Sequence, residues 1–455
     1  CTKHPFKIME AIIVIFVLLI NNMKSWGLAT EGICSTEYCK CFPDDKLVQQ
    51  VICACNSQDD IMVITEEAYL PLTVKNISFE NCFEVNIETG LTTMNDLDSI
   101  NFVNIIGLQL HNNGFPSTRK LNMENISHIS KFPSGFFQKR SKLHSVTLRQ
   151  VSIEVIEADA IQQVTIEKEI IFDNCDIGVI HPNAINLTLV DAQFKIHSSR
   201  INLVSTNSIT TRGGELKITH SHIQNIRSLG INANETKVDV DNNKFYDITA
   251  TKAISAHTAA FKVTNNYFDH LNKYALMEIH LKKSKNDNFS FEFSGNTMFY
   301  LEEDALTIDF KYLDANLIKV ENNVFYCNCT ALLWFIKTVK GNETKTLRTR
   351  PLPWNQLPNS EIRKKYYERF TDTGLCASEC IVPIQSFLRE MYVDGECTNQ
   401  ETEPCTTAVP ENQITTTDST GTDTESYTFA PRNSSPANWM SLCYVIKTIL
   451  LLLFL

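Results

Sequence analysis

The sequence predicts an all-β solenoid closed at each end by a small disulfide-rich cap. Three observations carry that prediction: apolar residues recur at a near-constant interval, they alternate with period two inside each unit, and cysteines cluster on both flanks of the repeat. With Leu148, Phe172, Ile196, Ile218, Val240, Val263, Phe293 and Val320 as reference positions, the spacings are 24, 24, 22, 22, 23, 30 and 27 residues. Two residues before each reference stands another apolar residue, from Val146 to Ile318, and five after stands a third, from Ile153 to Phe325. The period-two pairs read as short strands with one buried face. One unit has too little apolar surface to fold alone, so neighbouring units must stack and share a continuous core.

Later positions in the unit support the same reading. An apolar residue follows eight after most references, then a small–apolar pair such as Ala160-Ile161, Ala184-Ile185, Gly230-Ile231, Ala275-Leu276 or Ala305-Leu306. The third residue after the reference is Asn at Asn243, Asn266, Asn296 and Asn323, and Cys175, Ser199 and Ser221 occupy it elsewhere. An inward Asn after a strand suits a tight turn and can bond its equivalent in the next unit. This unit resembles the right-handed parallel β-helix of the pectin-lyase type. It also resembles the leucine-rich repeat, whose columns coincide. The two part at the end of the unit, where Ile185-Asn-Leu187-Thr-Leu189 and Leu306-Thr-Ile308-Asp-Phe310 alternate as a further strand would. The leucine expected five before the reference of a leucine-rich repeat is replaced by Glu167, Thr211, Ala233 and Thr258. The parallel β-helix is therefore the expected fold, with the leucine-rich-repeat solenoid as the alternative.

In chain order, residues 1–29 read as a signal peptide, with the apolar run Ala11 to Ile20, a start expected at Met9 and cleavage expected after Ala29. Residues 30–60 hold Cys34, Cys39, Cys41, Cys53 and Cys55, and their spacing resembles the N-terminal cap of extracellular leucine-rich-repeat proteins. A zinc site is the rival, but paired C-x-x-C knuckles are missing. Residues 61–325 are the solenoid. Its first part is irregular, with strands expected over Thr73 to Ile87 and Ile100 to Leu110. Cys82 makes the cap cysteines even in number and is expected to pair with them. Cys175 is expected to stay unpaired and buried: about four units of strand spacing from Cys82 is roughly 19 Å, far beyond disulfide reach.

Residues 326–405 read as the second cap. Cys327-Asn-Cys329 before an aromatic segment, then Cys380 and Cys397, resemble the leucine-rich-repeat C-terminal cap, with Cys376 and Cys405 as additions. Residues 406–438 are rich in Thr, Ser and Pro and read as an extended stalk. The apolar tail 439–455 carries one charge, Lys447. Preceded by Asn433-Ser434-Ser435, it resembles a glycosylphosphatidylinositol attachment signal with Asn433 as the lipid-bearing residue; a short transmembrane helix is the alternative.

Fifteen cysteines and eight N-x-S/T sequons fit a secreted route. The acceptors expected to carry glycans are Asn76, Asn125, Asn186, Asn234, Asn288, Asn342 and Asn433. Asn328 lies between two cysteines and is set aside. A net charge of −11 argues against nucleic acid as a partner. The outward positions between paired strand residues, Thr147, Ile171, Lys195, Lys217, Asp239, Lys262, Glu292 and Lys319, mix signs and offer no pair of carboxylates for acid–base work. Asp239 with Asp241, and His220 with His222, read as solvated surface. Three or more ionisable groups converging in one groove would instead favour a carbohydrate-active lyase or hydrolase. No nucleophile motif or phosphate loop is present. The expected function is a non-enzymatic cell-surface glycoprotein that binds an extracellular protein or glycan, without cofactor or metal. It is tethered to the plasma membrane by its tail, or else secreted. A leucine-rich-repeat co-receptor is the remaining alternative.

Overall fold

A computed structural model describes residues 32–327 except 44–46, 58, 66–69, 72, 89–96, 113–117, 138–140, 282–289 and 309–317, and also residues 360–377, 381–393 and 396–397. The chain divides into two units, Cys1–Thr407 and Ala408–Leu455, and every described residue belongs to the first. Within it the strands form a parallel β-solenoid of about ten turns.

From Phe172 to Leu281 each coil carries strands on three faces. On the first face, Gln193–His197, Glu215–Thr219, Lys237–Asp241, Ala260–Thr264, Ser290–Ser294 and Ile318–Glu321 pair in parallel register, so that Ile196, Ile218, Val240, Val263, Phe293 and Val320 form one inward row. The second face stacks Arg200–Val204, His222–Ile226, Lys244–Ile248, Tyr267–Leu271 and Thr297–Leu301. The third stacks Ile185–Leu189, Ile209–Arg212, Ile231–Asn234, Ile254–Thr258 and Ile279–Leu281. A leucine-rich repeat would carry one strand per unit, so this architecture removes that alternative. Leu306 and Ile308 are buried as the alternation required, but no strand forms over them, and the rest of that segment lies outside the described residues.

Corners are made by residues in the left-handed region. At the first turn the residue two after the reference has positive φ in every coil from Asn81 to Asn322, eleven in succession. Asn fills this corner at seven of them and Gly at one, as the steric cost to a Cβ dictates. At the second turn Asp159, Asn183, Asn207, Leu229, Lys252, Tyr274 and Asp304 do the same, each followed by a small residue that fits under the coil. Leu229, at φ +52, is the poorest fit to its conformation. Leu229→Asn is expected to stabilise the protein by about 1 kcal/mol, read as a rise of melting temperature; a fall would show that the leucine side chain contributes more than its backbone costs.

Immediately inside the first turn runs a polar ladder. Cys175 N donates to Ser199 Oγ (3.0 Å), Ser199 N to Ser221 Oγ (3.1 Å), Ser221 N to Asn243 Oδ1 (2.8 Å), and the chain continues through Asn266, Asn296 and Asn323. Each Asn amide also donates backward to the reference carbonyl of the coil before it, as Asn296 Nδ2 does to Val263 O (2.9 Å). The buried polar groups of this column are thereby satisfied. Cys175 is a free thiol in this column, and burial pushes its pKa up to about 11. It is packing, not chemistry.

The first coils differ. Asn76–Ile87, Leu97–Leu110, Thr118–Phe132 and Lys142–Ile156 are long strands that cross the first corner without interruption. Their inward turn residues are Cys82, Ile105, Ile126 and Val151, so this end of the column is apolar. The stack also reaches back into the N-terminal cap. Gln50–Ala54 pairs in parallel with Asn76–Ile87 and antiparallel with Cys39–Phe42. Disulfides Cys34–Cys41, Cys39–Cys53 and Cys55–Cys82 fasten this hairpin to the first coil.

At the other end, helix α1 (Ser360–Thr373) lies across the open coil. Tyr366, Tyr367 and Phe370 are buried, with Tyr366 against Phe291 and Phe370 against Phe293 and Phe325. Leu375–Ala377 adds a last parallel strand to Val324–Tyr326, and Cys327–Cys376 locks it. Such plugs cover apolar ends and unpaired strand edges. Cys329, Cys380 and Cys405, and the aromatic segment after Cys329, lie outside the described residues, and the side chain of Cys397 is likewise not described. Four disulfides among the described residues place the folded chain in an oxidising, extracellular or secretory compartment. Among the described residues no helix is long and apolar enough to cross a membrane.

Candidate functional site

On the first face the outward column is built as the sequence implied, Lys195–Lys217–Asp239–Lys262–Glu292–Lys319 in consecutive register. It is an ion-pair ladder: Lys217 Nζ is 3.1 Å from Asp239, Lys262 Nζ 4.0 Å from the same carboxylate, and Lys319 Nζ 2.9 Å from Glu292. The bond from Asp239 holds the Lys217 ammonium above its ordinary pKa range. Asp241 accepts from Thr264 Oγ1 (2.6 Å) and Asn265 Nδ2 (2.9 Å). These acids are engaged in holding coils together. His220 and His222, two apart in the sequence, are separated by the first corner: His220 is the left-handed residue, its ring 5.3 Å from that of His197, while His222 opens the next strand.

The second face is different, for a geometric reason. The residues five and eight after each reference both point inward, so the two between them both point outward. Two side-chain columns therefore run side by side along the axis. One passes through Asn202, Gln224, Tyr246, Asp269, Phe299 and Tyr326; the other through Leu203, Asn225, Asp247, His270 and Tyr300. Tyr246, Phe299, Tyr300 and Tyr326 are exposed by 40 to 52%. Their rings pack on one another and on histidines: Phe299 lies 4.7 Å from Tyr326, and His270 meets Tyr300 edge-on at 4.5 Å.

Before this aromatic stretch the two columns line an open groove of about 520 Å³. Asn202, Gln224 and Asn225 offer amides to it, Arg227, Asp247 and Asp269 offer charge, and His270 offers an imidazole. His270 stands between two carboxylates, its Nδ1 3.8 Å from Asp247 and its Nε2 3.5 Å from Glu302. Asp247 Oδ1 and His270 Nε2 are shielded from solvent without a hydrogen bond. Tyr267, half-buried beside them, donates its hydroxyl to Asp269 Oδ1 (3.2 Å). Burial first, and the Asp269 charge second, push its pKa up to about 12, so the phenol remains a neutral donor.

The described sequon acceptors all lie off this face. Asn76 opens a first-face strand, Asn125 sits at a first-turn corner and is exposed, and Asn186 and Asn234 are on the third face. Asn288, Asn342, Asn433 and the tail 439–455 lie outside the described residues. The outward residues singled out above belong to the first strand of each coil. The same count applied to the second strand would have found the aromatic rows. No family model, curated protein or solved structure matches this chain.

Proposed function

We propose that this chain is a non-enzymatic extracellular binding glycoprotein, held at the cell surface through its C-terminal tail with Asn433 as the lipid-bearing residue, and that its second face receives an extracellular protein or glycan. The observation that carries this reading is the cluster of exposed rings Phe299, Tyr300 and Tyr326, next to a polar groove that Tyr246 also lines, on a face without a described sequon. Isolated exposed apolar side chains are ordinary on a protein surface, but a cluster of exposed aromatic rings is not. Tyr and Phe supply large, rigid contact area at small entropic cost and dominate the energetics of recognition. They serve sugar rings and protein side chains alike, whereas glycans on the other faces would keep large partners away from them.

The test is binding of the full-length secreted protein to arrayed extracellular proteins and glycans. The wild type is expected to retain a ligand that the triple variant Tyr246→Ala/Phe299→Ala/Tyr300→Ala loses by about 100-fold, with circular dichroism unchanged. Equal binding by the triple variant would overturn the assignment of the face. A second reading, a carbohydrate-active enzyme, is favoured only by the convergence of Asp247, His270, Glu302 and Asp269. Shortened glycan products that vanish in Glu302→Gln would decide for it.

A further inference from the structure

A separate set of donor atoms stands on the third face. Strands Ile254–Thr258 and Ile279–Leu281 are parallel neighbours, and their register places His257 opposite His280. Ala256, Thr258, Ile279 and Leu281 are buried, so alternation turns both imidazoles outward. The rings stand 4.4 Å apart, nearly perpendicular. Glu278 precedes His280 by two and lies on the same side, with Oε2 3.2 Å from His280 Nε2. One donor atom from each of the three residues lies within 4.8 Å of the other two. The second carboxylate oxygen, Oε1, is bound by Lys252, and that bond, ahead of the one from His280, holds the Glu278 carboxyl below its ordinary pKa range. Side-chain exposure is 29% for His280 and 28% for Glu278, so the cluster is half-sheltered yet reachable.

We infer that His257, Glu278 and His280 form a binding site for a borderline divalent cation, Zn(II) or a neighbouring first-row ion. Two imidazoles and a carboxylate are a donor set that zinc uses, leaving a fourth position open. Imidazole nitrogen suits zinc, copper and nickel, while magnesium and calcium take oxygen donors. Bonds of about 2.0–2.2 Å place tetrahedral donor atoms roughly 3.3 Å apart. The Glu278–His280 pair already has that separation, at 3.2 Å, and closing the triangle from within 4.8 Å asks for side-chain shifts of at most about 1.5 Å. Lys252 does for the carboxylate what outer-shell partners do for a metal ligand: it fixes the orientation and leaves one oxygen to coordinate. The strands are rigid, so both imidazoles are positioned by the coil register and not by a loop. The site lies on a different face from the aromatic rows and does not rest on their role. Asn234 precedes His257 in the same column, so a glycan there would stand one coil from the ion.

The experiment is calorimetric titration of the untagged, secreted full-length protein with zinc chloride, with magnesium chloride as the control ion. One saturable zinc site per chain is expected, together with a melting temperature raised by saturating zinc and unmoved by magnesium. His257→Gln and His280→Gln are each expected to weaken zinc by tenfold or more (the cost even of an outer-shell loss is about 10–100-fold) and to abolish the melting shift. Their metal-free melting temperatures should match the wild type, because both side chains face outward. His270→Gln, on the second face, should bind zinc as the wild type does. Heat that does not saturate, or unchanged zinc affinity in the His257→Gln/His280→Gln double variant, would overturn the assignment.

Discussion

Asn296→Ala is expected to destabilise the solenoid by about 4 kcal/mol. Asn296 is fully buried, and its Oδ1 accepts from Asn266 N (3.0 Å) and Asn266 Nδ2 (3.1 Å). Its Nδ2 donates to Val263 O (2.9 Å) and Asn323 Oδ1 (3.0 Å). Alanine strands the Asn266 N–H and the Val263 carbonyl in an apolar interior, where each unmade bond costs roughly 1–3 kcal/mol, and it leaves a void besides. Asn323 Oδ1 keeps the Asn296 backbone N–H (3.1 Å), which limits the damage on that side. Chemical denaturation measures the total. Hydrogen exchange locates it, because the amides of coils bearing Asn266 and Asn296 should lose protection before those near Phe172. A loss below about 1 kcal/mol would mean that the ladder contributes little beyond its packing.

Phe268 and Phe299 make the second case. They stand in successive coils of one face, but Phe268 is buried and stacks on Phe245 (5.1 Å, 9° between planes), whereas Phe299 is 40% exposed. Phe268→Ala should cost about 3–5 kcal/mol as the transfer and cavity terms add. Phe299→Ala should cost about 0.5 kcal/mol or less, as surface changes do, yet weaken ligand binding. Melting temperature and ligand affinity, measured on both variants, should therefore separate cleanly. A stability loss at Phe299 equal to that at Phe268 would reassign the outer aromatics to the core.

How much was legible in the sequence follows the same division. Inward residues repeat because every coil needs them, so Phe172, Ile196, Ile218 and Val240 announced the row they form. The ladder was legible where it is Asn, and Ser199, Ser221 and Cys175, which looked like breaks in it, are members that serve the same role with smaller donors and acceptors. The first coils were hard to read because Ile105, Ile126 and Val151 replace polar turn residues, erasing the punctuation between two faces. The corner residues were harder still. Leu229, Lys252 and Tyr274 adopt a left-handed conformation that nothing in their chemistry favours, and only neighbouring coils impose it. Outward columns carry no period of their own, so the aromatic rows and the His257–Glu278–His280 cluster emerge only once register is fixed.

The uniform corners have a further consequence for size. Because the circuits between Phe172 and Leu281 share one three-sided frame, this part of the solenoid can lengthen or shorten by whole circuits, in steps of about 4.8 Å, without reshaping what remains. Reach along the axis and the chemistry displayed at any level are thus independent variables, set by different residues of the same circuit.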